Sequence, residues 1–144
     1  MTRPNYFGIG IECCKYPVNY GTLFRSAYIL GASFTFVVNA KFQRQSSDTI
    51  KTWNKIPTYS FPTIDDLNLP YSCQLIRIEM IDSAIPLDSF THPKRACYLL
   101  GSESNGLSKK AIARCHHIIK LHGTTSMNVA VAGSIVLYHR KMTL

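Results

Sequence analysis

Two glycines with the spacing of a phosphate-binding loop, Gly101 and Gly106, directly follow an apolar run at residues 96–100. A P-loop continues with a lysine and a serine or threonine after its second glycine, because these side chains bind the phosphates and their magnesium ion. Here Leu107 occupies the lysine position, and Glu103 lies inside the loop, where its carboxylate would repel a polyphosphate. The spacing therefore argues against a nucleoside triphosphate site, and by itself it also fits a purely structural turn.

A helical segment near the N-terminus carries further polar residues that could serve a ligand. Asn19 stands where a helix N-cap is expected, because its side chain can accept hydrogen bonds from the first free N–H groups. Gly21 and Arg25 are four residues apart and therefore share one face of the predicted helix. The glycine leaves space beside the guanidinium, which suits a ligand groove; a solvated surface arginine is the alternative interpretation.

The last predicted helix begins with two more candidates, Ser126 and Asn128. Side chains at this position lie beside the free N–H groups of the first turn, so these residues either serve a ligand or only cap the helix. Further along, Ala130, Gly133 or Ser134, and Leu137 recur at three-to-four-residue intervals and predict close contact with another helix. Because most other faces of this helix are apolar too, we expect it to be buried by its own sheet or by a second subunit.

Length and composition restrict the class of protein. The 144 residues are enough for one domain spanning 1–144, and 46% hydrophobic with 17% charged residues is typical of a globular protein. No apolar run approaches the ~20 residues that cross a bilayer, and no signal peptide is recognisable, so we expect a cytoplasmic protein without a membrane span. The net charge of +8 indicates a polyanionic partner, with nucleic acid as the leading candidate.

The cysteine pattern argues against a disulfide framework and against a metal site. The five cysteines are odd in number and contain no C-x-x-C pair. Cys115 and His117 are predicted to share one face of a strand, but this gives two adjacent ligands and no clear third. We therefore expect no bound metal.

Apolar strands and amphipathic helices alternate along the chain, which is typical of an α/β fold with a parallel sheet flanked by helices. The segment at residues 41–55 is polar and basic and predicts a loop with a short helix. Strands are predicted at residues 6–12, 33–39, 58–61, 73–80, 96–100 and 117–121. Helices are predicted at residues 19–31, 108–114 and 126–140, with a helical turn at 63–69.

Three segments taken together resemble a known family. NYGTLFRSAYILG (19–31), YLLGSESNGLS (98–108) and IKLHGTTSMNVAVAGSIVLY (119–138) are similar in order and spacing to motifs one, two and three of the SpoU/TrmH branch of the SPOUT methyltransferases. The resemblance covers essentially the whole chain. It implies a C-terminal deep trefoil knot, a homodimer, and S-adenosylmethionine as cofactor.

The resemblance also implies roles for individual residues. The expected reaction is methyl transfer to a ribose 2′-hydroxyl in RNA, with Arg25 placed at that hydroxyl. A guanidinium is rarely deprotonated, which favours positioning and electrostatic stabilisation as its role over that of a base. Four residues are implied to orient Arg25 and the substrate: Asn19, Glu103, Ser126 and Asn128. The residues implied to contact the cofactor are Ile78, Leu100, Gly101, Gly106, Ile119, Leu121 and Ser126.

Three departures from the family pattern leave alternatives open. The GTTS stretch of motif three is one residue shorter than usual, and Lys120 replaces a common proline. The absence of a separate RNA-binding domain resembles the minimal members that act on transfer RNA, so we expect transfer RNA rather than ribosomal RNA. A non-catalytic knotted RNA-binding module is a further alternative. The basic residues expected to grip RNA are Lys41, Arg44, Lys51, Lys55, Lys109 and Lys110.

Overall fold

One parallel sheet of seven strands organises the computed structural model, which describes residues 5–102 and 106–144. The strand order is β3-β2-β1-β6-β4-β7-β5, and each neighbouring pair is parallel. The predicted α/β class is confirmed. The strands are β1 (Tyr6–Glu12), β2 (Phe34–Val38), β3 (Thr58–Phe61), β4 (Gln74–Ile78), β5 (Ile85–Pro86), β6 (Arg95–Leu100) and β7 (His117–Lys120).

Helices cover both faces of the sheet. The helices are α1 (Val18–Ile29), α2 (Lys109–Arg114) and α3 (Val129–Thr143). The buried apolar residues of α1 and α3 belong to one core cluster, and Ala111 of α2 belongs to a second. Parallel sheets are buried on both faces in this way because their crossover connections run over them. No helix within the described ranges is long and apolar enough to cross a membrane.

Close packing of aromatic rings across the sheet explains two glycines of β1. A Cβ atom on Gly8 would overlap the ring of Phe34, and one on Gly10 would overlap the ring of Phe36. Both rings belong to β2, which pairs with β1. Glycine therefore lets aromatic side chains lie across the neighbouring strand, where any larger residue would displace them.

Helix starts are where the sequence prediction was wrong. Asn19 is not an N-cap, because α1 begins at Val18 after Pro17, whose ring already fixes a helical φ of −57°. The last helix begins at Val129 rather than at Ser126, with Asn128 as its cap. The short strand β5, missed in the connection between β4 and β6, contains Pro86 and lies at the sheet edge, the position that a proline tolerates.

The small-residue stripe of α3 faces the interior of its own chain. A Cβ atom on Gly133 would lie 2.6 Å from Leu23 of α1 and 3.2 Å from Ile9 of β1. Ala130 and Leu137 are also buried. The close helix contact that the stripe predicts is therefore the contact between α3 and α1 within one chain, and Gly133 does not face a second subunit.

The predicted trefoil knot stays a prediction. The sheet order places β7 between β4 and β5, and α3 returns over the face that carries α1.

A buried arginine holds the C-terminal end of α3 against the sheet. Arg140 is 1% exposed and donates hydrogen bonds to the carbonyl oxygens of Pro93 at 2.7 Å and Lys94 at 2.8 Å, and to the hydroxyl of Tyr98 at 3.0 Å. Its guanidinium also lies 4.5 Å from the ring centroid of Phe7. The positive charge of this buried guanidinium is stabilised mainly by the oxygen atoms that accept its hydrogen bonds and by the faces of the aromatic rings.

A buried histidine extends this arrangement. Nδ1 of His92 lies 2.6 Å from the Tyr98 hydroxyl, and its Nε2 lies 2.8 Å from Nδ1 of His139. Because Arg140 can only donate, the Tyr98 hydroxyl accepts from it and is free to donate to His92. Burial, and then the nearby charges of His139 and Arg140, lower the pKa of His92 from 6.5 to about 4.

We expect His92 to make the fold acid-sensitive. Between pH 6.5 and 4 the unfolded chain binds a proton at His92 that the folded chain does not bind. The free energy of unfolding should therefore fall as pH falls, by about 3 kcal/mol at pH 4 from this residue alone. Urea unfolding over a pH series measures this loss. In His92→Gln, the free energy of unfolding should fall less between pH 6.5 and pH 4, by that same amount. An equal fall in the wild type and the variant would contradict the assignment.

Candidate functional site

A cavity of about 450 Å³ opens at the ends of β4 and β6. This edge of a parallel sheet is where α/β proteins usually bind ligands, because loops diverge there. The described residues lining it come from four places: the end of β4 and the segment after it, the end of β6 and the turn after it, the residue after β7, and the start of α3 with the segment before it. They are Ile78, Glu79, Met80, Ile81, Leu100, Gly101, Ser102, Gly106, Leu107, Leu121, Ser126, Met127, Asn128, Val129 and Ala132.

The cavity is suited to a flat, largely apolar ligand. Aliphatic side chains such as Leu100, Leu121 and Val129 form its walls, and no lysine or arginine is among the described residues that line it. A polyphosphate needs cationic or backbone N–H partners, and Glu79 contributes a negative charge instead. The lining of the cavity is therefore as unfavourable for a nucleoside triphosphate as the sequence of the turn.

The turn after β6 is narrow because two glycines meet in it. A Cβ atom on Gly101 would overlap the backbone of Gly106, and Gly106 has a φ of +64°, which side-chain-bearing residues rarely adopt. The N–H of Gly106 donates to the carbonyl oxygen of Ser102 at 3.0 Å. Both glycines line the cavity, and their contact with a cofactor stays a prediction. Glu103 lies outside the described residues.

A buried carboxylate fastens the far end of this turn. Glu12, the last residue of β1, accepts hydrogen bonds from the N–H of Ser108 at 2.8 Å and from its hydroxyl at 2.7 Å. The Ser108 hydroxyl oxygen in turn accepts from the N–H of Ala111 and caps α2. Sequence reasoning missed Glu12; the signal available was a carboxylate at the end of an otherwise apolar strand.

An amide pair joins the starts of α1 and α3 beside the cavity. Oδ1 of Asn128 accepts from the N–H groups of Ala130 at 2.9 Å and Val131 at 3.2 Å. Its Nδ2 donates to Oδ1 of Asn19 at 3.2 Å. Asn19 is buried and is the second residue of α1. Its side chain therefore links α1 to α3 and does not cap α1. The structure thus brings two of the predicted orienting residues together.

Arg25 and Gly21 do not form the predicted groove. A Cβ atom on Gly21 would overlap the hydroxyl of Ser47 and lie 2.8 Å from Gln45, so a loop of the same chain fills the space beside this glycine. Arg25 is exposed on α1 and is not among the residues lining the cavity.

The predicted cofactor contacts meet at the cavity with one exception. Ile78, Leu100, Leu121 and Ser126 line it together with the two glycines. Ile119 does not, because its side chain is completely buried in β7. The carbonyl oxygen of Ile119 accepts from the N–H of Glu79 at 3.0 Å, so Ile119 helps to fix the position of a residue that lines the cavity.

An ion pair beside the cavity was missed by sequence reasoning. Nε of Arg77 lies 3.3 Å from Oε2 of Glu79, and the Arg77 side chain is only 6% exposed. The two residues flank Ile78 at the end of β4, so the alternation of a strand places them on the same side of the sheet. The sequence did contain a signal for this ion pair, because an arginine stands inside an apolar strand and an acid follows it two residues later.

The cysteines and histidines have structural partners. Cys115 precedes β7, so it does not share a strand face with His117, whose Nε2 lies 2.6 Å from Oε1 of Gln74. Burial raises the pKa of Cys115 to about 11, and it raises that of Cys97 as well, which keeps both thiols protonated near neutral pH. Within residues 5–102 and 106–144, no three histidine, cysteine or acidic side chains are grouped to hold a metal.

Comparison with known proteins identifies a family and several structural relatives. Residues 7–138 match the model of the SpoU rRNA methylase family. No curated protein sequence matches the chain. The fold is similar to that of the SpoU methyltransferase AviRb from Streptomyces viridochromogenes, in complex with the cofactor AdoMet, with a TM-score of 0.84 and 20% identity over 98% of this chain.

Two further solved structures show the same fold. An AdoMet-bound rRNA methyltransferase from Sinorhizobium meliloti has a TM-score of 0.83 and 18% identity over 99% of this chain. The chain spans only 61% of AviRb and 58% of this second protein. A structure described as giving insights into the 2-OH methylation of C/U34 on tRNA has a TM-score of 0.80 and 19% identity, covering 98% of this chain and 99% of its own.

We expect Glu12→Gln to loosen the turn that lines the cavity. Hydrogen bonds to a charged acceptor contribute about 1.5–3 kcal/mol, and the variant replaces the buried carboxylate with an amide that cannot accept from both Ser108 donors equally well. The free energy of unfolding should fall by about 2 kcal/mol, and amide exchange at Ser108 should accelerate, as measured by urea unfolding and hydrogen exchange.

The matched control for Glu12→Gln is Asp65→Asn. Asp65 also holds a residue of α2, through its ion pair with Lys110 at 3.1 Å, but both side chains are exposed. Exposed pairs contribute about 0–1 kcal/mol. Equal destabilisation by the two substitutions would contradict the importance given to the buried carboxylate.

Proposed function

The chain belongs to the SpoU rRNA methylase family, and from this membership we propose that it is an S-adenosylmethionine-dependent methyltransferase acting on a ribose 2′-hydroxyl in RNA. The observation that carries the proposal is the cavity at the end of β6. Its volume of about 450 Å³ lies within the ~300–1,000 Å³ that small-molecule sites usually have.

The residues of the cavity fit an adenosine derivative without phosphates. Aliphatic walls suit a flat purine, and the exposed backbone of the glycine turn offers hydrogen bonds to its edges. We assign cofactor contact to the residues at which the predictions and the cavity agree. These are Ile78, Leu100, Gly101, Gly106, Leu121 and Ser126.

When bound, the cofactor supplies a methyl group already activated by a positively charged sulfur. The remaining task is to hold the 2′-hydroxyl in line with that methyl and to stabilise the charge that develops on the oxygen. Asn128 and Ser126 line the cavity, and Asn19 holds the amide of Asn128. In this proposal these three residues orient the substrate, together with Glu103.

Arg25 is proposed to act at the junction of two copies of the chain. It lies four residues before Ile29 on α1, so the two share a helix face, and Ile29 is 59% exposed. Four exposed apolar residues of α3 are Val131, Ile135, Tyr138 and Met142. A hollow of about 390 Å³ lies on the surface between the two helices and is lined by Ser26, Ile29, Leu30, Ser134, Ile135 and Tyr138.

The chemistry of this face supports a homodimer. Apolar side chains grouped on two adjacent helices usually mark an interaction surface, and twofold symmetric pairs of identical subunits are the commonest assemblies. Covering the face would bring atoms of the partner next to Arg25. A guanidinium at such a junction can bind an RNA phosphate or hydroxyl that enters between the subunits.

Transfer RNA is the favoured substrate class. The structure described in terms of C/U34 on tRNA is matched over nearly its whole length, unlike the two longer proteins. Ribosomal RNA is the second candidate, because the family and one similar structure are described as rRNA methylases. The two candidates share the same chemistry and differ only in the RNA that the surface selects.

The RNA-binding surface is assigned to the basic segment after β2 and to the start of α2. Lys41, Arg44, Lys51 and Lys55 are exposed, and the guanidinium of Arg44 lies 5.4 Å from the ring centroid of Trp53. Lys109 and Lys110 are also exposed. With the net charge of +8, such residues supply the salt-dependent attraction on which RNA binding usually depends.

We expect Arg25→Ala to separate chemistry from cofactor binding. Arg25 is not among the residues lining the cavity, so calorimetry should give nearly the same affinity for S-adenosylmethionine in the variant. Methyl transfer to bulk transfer RNA should fall about 100-fold or more, the range for losing a group that stabilises developing charge. Arg25→Lys should restore activity only in part, because an ammonium lacks the planar fork of a guanidinium.

The controls for this experiment test the proposed function itself. Wild-type protein should bind S-adenosylmethionine without added metal and should methylate RNA, with transfer RNA preferred over ribosomal RNA. Cofactor binding without transfer to either RNA would favour the non-catalytic RNA-binding alternative. Transfer by Arg25→Ala at the wild-type rate would show that Arg25 is an ordinary surface residue.

We expect Ile135→Asp to weaken the homodimer. Ile135 is 40% exposed at the hollow between α1 and α3, and a buried charge there would lack a partner. Sedimentation at micromolar concentrations should show a dimer for the wild type and a monomer for the variant. The matched control is Ile112→Asp, which changes an isoleucine that is 38% exposed on α2. A wild-type monomer, or equal dissociation by both variants, would contradict the interface.

A further inference from the structure

Glu79 is the one acid among the described residues that line the cavity. Its backbone is fixed, because the N–H donates to the carbonyl oxygen of Ile119 and so extends the pairing of β4 with β7. Its Oε1 lies 3.1 Å from the position that a Cβ atom on Gly106 would take, so the carboxylate lies against the glycine turn. The side chain is 22% exposed. Glu79 therefore presents an acceptor group to the part of the cavity that the glycine turn forms.

The carboxylate has a charge partner but lacks hydrogen-bond donors. Oε2 of Glu79 is buried and has no hydrogen-bond partner among the described residues, and the same holds for Nε and one terminal nitrogen of Arg77. The two groups nevertheless lie 3.3 Å apart. Because Oε2 is enclosed beside the guanidinium, the oxygen left for a ligand is Oε1, which lies against the glycine turn of the cavity. A carboxylate oxygen on a cavity wall is an acceptor for a donor that a ligand supplies.

The nearby guanidinium determines which donor suits this site. Arg77 offsets most of the negative charge of Glu79, which weakens its attraction for a second cation such as an ammonium group. The lone pairs of the carboxylate remain able to accept from neutral O–H groups. Two neighbouring hydroxyls can bind one carboxylate, and an acid at the end of a parallel strand commonly binds a nucleoside ribose in this way.

From this arrangement we infer that Glu79 is a specificity-determining residue that recognises the ribose of the cofactor through its vicinal hydroxyl groups. The inference rests on the proposed function and adds to it the residue that distinguishes a ribonucleoside from its deoxy counterpart. A site built to bind a hydroxyl rejects an analogue that lacks it, because the acceptor is then left unpaired in the cavity. Arg77 is the positioning residue that holds the carboxylate toward the glycine turn.

Calorimetry with three ligands tests the inference on the wild-type protein. The ligands are S-adenosylhomocysteine, its 2′-deoxy analogue, and an analogue in which hydrogen replaces the α-amino group of the homocysteine part. Removing the 2′-hydroxyl should weaken binding about 10- to 100-fold, as expected for a hydrogen bond to a charged acceptor. An unchanged affinity for the 2′-deoxy analogue would overturn the inference without any variant.

The substitution Glu79→Gln identifies the acceptor. The amide keeps one acceptor oxygen but no charge, so S-adenosylhomocysteine should bind about 10-fold more weakly and the 2′-hydroxyl should contribute only about 3-fold. The loss caused by removing the amino group should be the same in both proteins. The matched control is Asp82→Asn, the same change on an exposed acid that lines a neighbouring polar recess and not the cavity; it should leave all three affinities unchanged.

Each outcome decides between the inference and the proposed function. Loss of discrimination against the 2′-deoxy analogue in Glu79→Gln supports the ribose contact. Coupling of Glu79 to the amino group instead, or full discrimination in the variant, overturns it while the proposed function stands. If wild-type protein binds neither S-adenosylmethionine nor S-adenosylhomocysteine, the proposed function fails and the inference fails with it. A variant that does not fold leaves the wild-type ligand series to decide.

Discussion

The geometry of the site depends on the contacts that the buried guanidinium of Arg140 makes with the sheet. This guanidinium fixes the end of α3 to the backbone before β6 and to aromatic rings of β1 and β6. An α-helix is stiff, so fixing one end sets the direction of the other, which lies ~18 Å away at a rise of 1.5 Å per residue. That other end carries Asn128 and the cavity wall. Removing a charge from water is costly, and here oxygen atoms accept from both terminal nitrogens of the guanidinium.

The apolar part of the fold could be predicted from the sequence with little error. β1 and β3 have the predicted bounds, because a buried strand is an uninterrupted apolar run between turn residues. The α/β class followed from the alternation of such runs with helical periodicity. Short polar segments were harder to predict. An asparagine near a helix start can cap it or contact another element, and only the packing of α1 against α3 decides that Asn19 does the second.

Residues that act across the sheet could not be assigned from their own neighbourhood in the sequence. Glu12 and Ser108 are 96 positions apart, and their contact requires β1 and β6 to be neighbours. Gly133 was correctly seen as a site of close approach, but the direction of that approach depends on which face of α3 meets the core. Most of the predicted cofactor residues do lie together at the cavity, because motifs two and three carry them and the sheet brings those two segments to one edge. Ile119 was the exception, because a strand residue next to a cavity can face away from it.

The contact between Glu12 and Ser108 links ligand occupancy to the stability of α2. Ser108 is at once the last fixed point of the glycine turn and the cap of that helix. A ligand that shifts the Ser108 end of the turn would act on the cap of α2, and thermodynamic reciprocity makes the effects of two coupled ligands on each other's affinity equal. Lys109 and Lys110 lie in the first turn of this helix. A polyanion held by those lysines and a small molecule held by the turn would thus alter each other's binding through a single carboxylate.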